Sequence, residues 1–347
     1  MRAFQLLAVG EPPRIVEIPV PVPGPGQILV RVTAASICHT DLAVAAFDDQ
    51  TLTAWGIDLP MTLGHETAGV VEVAGAGVTD VAVGDPVLVN SAWGCGTCDR
   101  CARGAENLCL RVKEAGVKSP GIAGQGGMAE FILVDSIRHL HPLGDVDAVK
   151  AAPLADAGVT SFRAIEVSRA KLDASSTVVV IGVGGLGHLA VQIINTTSPA
   201  RILAVDRGSD RADLARRSGA DLFLESDDFT ADQIRAETGG RGADVVIDFV
   251  GSDSTARLAV QTVVTGGDIT LVGVGGGSLA ASVTSLPPEV TVRTIYWATR
   301  TGMSAVLDLA RRGLVRPAIQ TYPLDAAPVA FADVETGRVL GRAVLVP

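Results

Sequence analysis

Between residues 177 and 277 short apolar runs alternate with amphipathic stretches. Thr177–Ile181 (TVVVI) is β-branched and without polar alternation, the pattern of a strand buried on both faces of a parallel sheet. The Gly-rich run GVGGLG follows, and then HLAVQII, which has helical character. RILAVD over 201–206 reads as a second strand. The spacing then predicts a helix over 210–218 stopped by Gly219, a strand near 222–224 and a helix around 231–237. ADVVIDFVG, another helical stretch and DITLVGVGGG continue the alternation, and repeated βα units predict a doubly wound parallel sheet. In the first half, ILVRV (28–32) alternates as a strand, and the apolar VTVRTIYW is a candidate edge strand late in the sheet.

The turn after TVVVI carries chemistry. Gly182, Gly184 and Gly187 occupy G-x-G-x-x-G positions, with Gly185 and Leu186 between them, and Asp206 follows Gly182 by 24 residues. Such glycines permit a tight turn, close approach to a pyrophosphate and close helix packing, while the helix N-terminus supplies amides and a positive dipole end. A plain Gly-rich turn between strand and helix would share the glycines; the strand, the helix and the acidic offset together point to a dinucleotide. Asp206 would accept from the adenosine ribose hydroxyls and repel a 2′-phosphate, favouring NAD over NADP. Arg207, next in the chain, could accommodate that phosphate, so both cofactors stay open here.

Length and composition bound the rest. A chain of 347 residues has two domains as its prior, and a net charge of −10 argues against nucleic-acid binding, which needs cations to displace phosphate counterions. Mean hydropathy is high at +0.37. The most apolar stretch, 178–194, is near the minimum spanning length of ~17 residues but holds four glycines and His188, so strand, turn and helix fit it better than a membrane span. The N-terminal apolar run is too short for a secretory signal, and a cytoplasmic protein is expected.

The five cysteines are Cys38, Cys95, Cys98, Cys101 and Cys109. An odd number with no export signal argues against a disulfide framework. Four of them form C-x2-C-x2-C-x7-C in WGCGTCDRCARGAENLC. This spacing lets one loop wrap four thiolates around a tetrahedral ion, and four sulfurs with no open position suit structural zinc. An iron–sulfur cluster also takes four thiolates, although the usual ferredoxin spacings differ. Cys38, in ASICHTD, is left over. A lone buried cysteine is an inert small hydrophobe in most folds. Yet His65 and Glu66 follow in LGHETAG and Asp156 appears in PLADAGVT, and one sulfur, one imidazole and one carboxylate with a fourth position free is the composition of a catalytic zinc site, although spacing over about 120 positions does not by itself bring the three together.

Cys38-His39-Thr40-Asp41, Gly64-His65-Glu66, the four-cysteine lobe, Asp156 and GVGGLG occur in this order along the whole chain. Together they resemble the zinc-dependent medium-chain alcohol dehydrogenases, in particular bacterial NAD-dependent secondary-alcohol dehydrogenases that accept bulky, often aryl, substrates. The resemblance implies an α/β chain with a GroES-like β-rich catalytic domain at 1–155 and 298–347, a Rossmann cofactor domain at 156–297, and an active cleft between them. It implies NAD, one catalytic zinc on Cys38, His65 and Asp156, and one structural zinc on the other four cysteines. The third catalytic ligand is a cysteine in many relatives, with aspartate a known alternative.

By the same resemblance, Thr40 takes the alcohol proton, Asp41 orients the histidine ligand, and Glu66 lies beside the metal and transiently replaces its water. A relay histidine found in some relatives is Ala43 here. The relay would run instead from Thr40 through a ribose hydroxyl to His39 or solvent, and His39 could equally hold the pyrophosphate. Thr160 matches a residue beside the nicotinamide, Val272 and Val274 a strand end whose backbone meets the carboxamide, and Arg300 an arginine on the pyrophosphate. Trp55, Trp93 and Trp297, with Ile122 and Phe47, match segments bordering the substrate cleft. Aromatic walls suit an aryl-alkyl or medium-chain secondary alcohol or ketone.

The alternatives are a non-catalytic NAD-binding sensor or structural protein, a polyol dehydrogenase, a glutathione-adduct aldehyde dehydrogenase and a zinc-free quinone reductase. Polyol enzymes need polar groups where the candidate wall is aromatic, and the quinone reductase would lack Cys38 and the cysteine lobe. The relatives imply a homotetramer, or a homodimer, with no nucleic-acid or membrane partner.

Overall fold

In the computed structural model, which describes residues 1–347, the chain separates into two compact units. The first comprises Met1–Val159, Trp297–Gly313 and Pro317–Pro347, and the second Thr160–Tyr296 with Leu314–Arg316. These bounds differ from the sequence expectation by a few residues, for local reasons. Asp156 has its carboxylate beside Cys38 and His65, and Trp297 packs near His65, so both belong with the first unit. Arg316 joins the second because its amide donates to Gln192 Oε1 at 2.7 Å and its carbonyl accepts from Gln192 Nε2 at 3.1 Å.

The first unit carries β1 (Arg2–Leu6), β2 (Arg14–Glu17), β3 (Ile28–Ile37), β4 (Met61–Thr62), β5 (Glu66–Ala74), β6 (Pro86–Val89), β7 (Phe131–Val134) and β8 (Leu140–Pro142). The second carries β9 (Thr177–Ile181), β10 (Arg201–Asp206), β11 (Leu222–Glu225), β12 (Ala243–Asp248), β13 (Val263–Leu271) and β14 (Thr291–Thr294). Strands β15 (Ile319–Pro323) and β16 (Arg342–Val346) return to the first.

Strands β2, β1 and β4 form a small sheet. The main sheet of the first unit runs β15-β16-β3-β5-β6-β8, with β7 also paired to β3. The sequence pattern predicted β3 only as far as Val32. It continues to Ile37 because β5 and β16 pair with the extension, while β7 pairs only with Ile28–Arg31, so the small residues Ala34, Ala35 and Ser36 are buried between neighbours. This extension delivers Cys38 to the end of a fully supported strand. The core of the unit gathers Phe4, Leu6, Ile37, Leu63, Met128 and Leu345 in one apolar cluster.

The sheet of the second unit is entirely parallel, in the order β11-β10-β9-β12-β13-β14. Numbered from β9, that order is 3-2-1-4-5-6, so the connections reverse direction beside β9 and its C-terminal end opens at the switch point where such sheets take ligands. All five residues of β9 are buried, as a central parallel strand requires. The helix Ser209–Ser218 stops at Gly219, whose φ of +100° is the left-handed C-cap that glycine adopts without strain. The apolar stretch 178–194 is therefore a strand, a turn and part of the helix Gly187–Thr197. No helix is long and apolar enough to cross a membrane.

Candidate active site and cofactor cradle

Cys38 caps the helix His39–Ala45, and Asp41, one turn in, folds back beneath it. Asp41 is wholly buried. Its Oδ2 accepts the Cys38 N–H at 2.8 Å, and its Oδ1 accepts the Gly64 N–H at 3.2 Å and lies 3.1 Å from His65 Nδ1. One carboxylate thus ties together the two segments that present Cys38 and His65. It also holds the proton on Nδ1, leaving Nε2 to face the site. His65 Nε2 is 3.4 Å from Asp156 Oδ2, and Cys38 Sγ is 3.5 Å from the same oxygen. The ligand atoms of Cys38, His65 and Asp156 all lie within 4.8 Å of one another, and all three residues are buried.

The electrostatics match that geometry. Burial would depress the His65 pKa, but the Asp41 charge and hydrogen bonds with Asp156, Asp41 and Cys38 outweigh it and hold the imidazole well above its ordinary value. The pocket favours positive charge at its centre. Thiol, imidazole and carboxylate are the donor types that hold zinc at three corners and leave a fourth for water or substrate.

Glu66 lies just behind this set. The resemblance has it beside the metal, transiently replacing the water; in the structure both of its oxygens are engaged. Oε1 accepts the Ala157 N–H at 2.9 Å, and Oε2 is bonded to the buried Arg342 guanidinium, which also donates to Ser36 Oγ at 3.3 Å. Burial raises the Glu66 pKa, and the Arg342 charge works against that rise. Sequence reasoning missed Arg342. The available signal was an arginine heading the continuous apolar strand RAVLV, where burial demands a charged partner.

The four remaining cysteines also converge, their sulfurs within 4.8 Å of one another. Cys95 and Cys101 sulfurs are 3.9 Å apart, and those of Cys98 and Cys109 are 4.0 Å apart. A tetrahedral site with Zn–S of about 2.3 Å separates its sulfurs by about 3.8 Å. Disulfide bonds are absent. The lobe favours thiolate at Cys95, whose pKa is pushed down to about 6 by hydrogen bonds from the Thr97 side chain and backbone and from the Cys98 N–H. Arg138 braces the lobe, donating to Cys101 O at 3.0 Å and to the buried Glu106 at 2.6 Å; neither residue was singled out by sequence.

In the second unit the three fingerprint glycines are required for different reasons. Gly182 has φ +86°, and a Cβ there would meet Val250 at 2.7 Å; a Cβ on Gly187 would strike the Gly182 carbonyl. A Cβ on Gly184 would meet nothing within 4 Å, so this position is open for a ligand's close approach rather than for packing. Leu186 is the N-cap of the helix Gly187–Thr197, with Gly185 just before it. Asp206 ends β10, its Oδ2 accepting the Val183 N–H of the Gly-rich turn at 2.6 Å. Arg207 is exposed, Thr160 is buried, Val272 is partly buried, and Val274 is exposed. Arg300 lies in the first unit beside the cysteine lobe, its amide donating to Gly104 O at 2.8 Å.

Comparison with known proteins gives the family. Residues 24–145 match the alcohol dehydrogenase GroES-like domain, and residues 185–312 match the zinc-binding dehydrogenase model. The chain is 35% identical over 358 residues to the NAD-dependent alcohol dehydrogenase of Sulfurisphaera tokodaii, with 100% of each covered. The chain belongs to the zinc-dependent medium-chain alcohol dehydrogenases. A D-arabinose 1-dehydrogenase (NADP(+)) of Saccharolobus solfataricus is 34% identical, with 100% of this chain and 97% of that protein covered. The crystal structure of the alcohol dehydrogenase from Aeropyrum pernix matches with a TM-score of 0.92 at 33% identity, covering 100% of both chains.

In this alcohol dehydrogenase the first unit is the GroES-like domain and the second a Rossmann-like domain. Beside the ligand set, the Cys38 sulfur is 3.7 Å from Thr40 Oγ1, and His39 is exposed at the first helical position. Trp297 is buried with its ring centroid 6.4 Å from that of His65. Its φ of +46° is a left-handed conformation that a bulky side chain adopts only when its surroundings hold it there. Trp93 is buried, its indole N–H donating to Asn90 O at 2.6 Å and its ring stacked on His139 at 4.6 Å. Ile122 lies in the same apolar cluster, with Phe47 packed against it. Trp55 departs from the expected wall. It is 47% exposed, with its ring centroid 5.2 Å from that of Phe47, and it ends a short helix whose one buried residue is Leu52.

Proposed function

We propose that this alcohol dehydrogenase transfers a hydride between NAD(H) and bulky, aryl-alkyl secondary alcohols or ketones. Cys38, His65 and Asp156 would hold one zinc ion, and Cys95, Cys98, Cys101 and Cys109 a second, structural one. The observation that carries this reading is the convergence of three unlike donors within 4.8 Å, backed by Asp41, near the buried Trp297 ring. When bound, zinc supplies a Lewis acid for the alcohol or ketone oxygen, and the nicotinamide supplies the redox chemistry.

The side chains do the rest. Asp41 keeps the His65 proton on Nδ1 and fixes the ring. The Glu66–Arg342 pair braces Ala157 and so holds Asp156 from behind. Thr40, near the Cys38 sulfur, accepts the alcohol proton, and the exposed His39 passes it on or steadies the pyrophosphate. Gly184 admits the phosphates at the N-terminus of the Gly187–Thr197 helix, with Gly182, Gly185, Leu186 and Gly187 shaping the turn, and Asp206 accepts from the ribose hydroxyls. Thr160, Val272 and Val274 bear on the nicotinamide, and Arg300 on the pyrophosphate. Trp297, Trp93, Ile122 and Phe47 form the apolar wall, and Trp55 is kept only as an outer margin.

The similarity to a D-arabinose dehydrogenase favours a second reading, a polyol or sugar substrate with NADP. Zinc content and initial rates with acetophenone, 1-phenylethanol, D-arabinose and fructose, each with both cofactors, separate the two. Two zinc ions per chain and turnover of acetophenone with NADH support the proposal. Turnover of the sugars alone establishes the second reading, and a single zinc with no turnover points to a non-catalytic NAD-binding protein. We also infer a homotetramer or homodimer, paired through the outermost strand β14; sedimentation measures the number of subunits, and a charge placed on β14 (Val292→Lys) that dissociates them tests the strand.

A further inference from the structure

NAD and NADP differ by one phosphate on the adenosine ribose, and the end of β10 carries contradictory signals about it, Asp206 against and Arg207 for. The neighbouring strand end bears on the choice. Asp206 and Glu225 are register partners across β10 and β11, and the Ser226 N–H donates to Asp206 O at 2.8 Å. Asp206 is anchored by backbone alone, with Oδ2 on the Val183 N–H at 2.6 Å and Oδ1 on the Arg207 N–H at 2.7 Å. The next amide, Gly208 N–H, donates to Glu225 Oε1 at 2.9 Å. Gly208 sits at φ +92°, ψ +149°, a conformation essentially restricted to glycine. The turn is therefore closed by carboxylates from two adjacent strand ends. Arg207 lines a cavity of about 260 Å³ together with Arg257, Asp227 and Asp228, so two cations and two carboxylates share it.

We propose that Glu225 is a positioning residue for cofactor choice: by holding the Gly208 N–H it locks the turn 206–208 against the 2′-phosphate of NADP and adds a second negative charge there. This rests on the reading that Asp206 meets the adenosine ribose. Loss of the carboxylate frees the turn to open and lets Arg207 reach the added phosphate.

The test is titration of the zinc-loaded enzyme with NADH and with NADPH, following nicotinamide fluorescence, for the wild type, Asp206→Ala, Glu225→Gln and Glu225→Ala. Glu225→Ala is expected to shift the NADPH-to-NADH affinity ratio toward NADPH by about tenfold, the scale of one charge-assisted hydrogen bond. Glu225→Gln, which keeps an acceptor for Gly208 and removes only the charge, shifts the ratio in the same direction by less. Ratios within twofold of wild type in both Glu225 variants, with a clear shift in Asp206→Ala, overturn the role of Glu225 alone. No shift in Asp206→Ala overturns the ribose contact and this proposal with it. A merely structural role for Glu225 would weaken both cofactors equally and leave the ratio unmoved, which also overturns it.

Discussion

Asp41 is the hydrogen-bond partner of His65 Nδ1, at 3.1 Å, and the same carboxylate accepts the Cys38 N–H at 2.8 Å. Two metal-ligand candidates 27 residues apart in sequence are held by one buried anion. Asp41→Asn places an N–H or a weaker acceptor opposite Nδ1 and removes the charge that supports the ring. Zinc affinity at the Cys38 site is expected to fall about 10- to 100-fold, the usual scale for losing a histidine's outer carboxylate. Competition with a graded chelator measures it, and the four-cysteine site in the same molecule serves as the internal reference.

Arg342 and Glu66 form a fully buried ion pair, so removing one partner strands the other's charge. Arg342→Met is expected to cost about 3–5 kcal/mol of stability, while the double variant Arg342→Met/Glu66→Gln recovers most of it. Denaturant unfolding of the three proteins checks this. A double variant no more stable than Arg342→Met would show that the guanidinium acts through packing rather than charge.

Two buried histidines set an acid limit on stability. Burial, with the Arg138 and Arg300 charges acting the same way and the nearby Gly94 backbone against it, lowers the His139 pKa to about 4. Burial and the charges of Arg300 and Arg311 do the same at His141. In the unfolded chain both titrate near the ordinary 6.5, so the unfolded state binds more protons between these values. Their contribution to stability is complete above about pH 6.5 and is lost as pH falls toward 4, at up to about 1.4 kcal/mol per pH unit for each ring. The variant His139→Phe/His141→Leu should show a shallower decline of unfolding free energy over that window, and equal slopes would sink the assignment.

Trp297 combines a left-handed backbone with a ring near His65. Trp297→Ala is expected to shift the kcat/KM ratio between acetophenone and a small aliphatic ketone by about tenfold or more, the scale at which an apolar pocket discriminates size. Unaltered ratios across a ketone series, or unaltered enantiomeric excess, would remove this residue from the substrate wall.

Local motifs were legible because their chemistry is set by short spacing. The four cysteines within fifteen residues, and the glycines between β9 and its helix, need only one loop to come together, and the structure draws each set into one place. Helix and strand order in the second unit followed from periodicity for the same reason, since each βα unit is a local decision. The full length of β3 was not legible. The small residues after Val32 are in a strand because two distant strands, β5 and β16, pair with them, which no window of sequence contains.

The sequence by itself determined the fold class, the four-cysteine lobe, the Gly-rich turn and the donor types available for a metal. Tertiary structure alone decided which distant groups meet: Asp156 118 residues from Cys38, and Arg342 276 residues from Glu66. It also decided that Trp55 stays half exposed while Trp297 is buried. Spacing and periodicity are properties of a few consecutive residues, whereas burial and pairing of a charge or a ring depend on the whole set of strands folded around it.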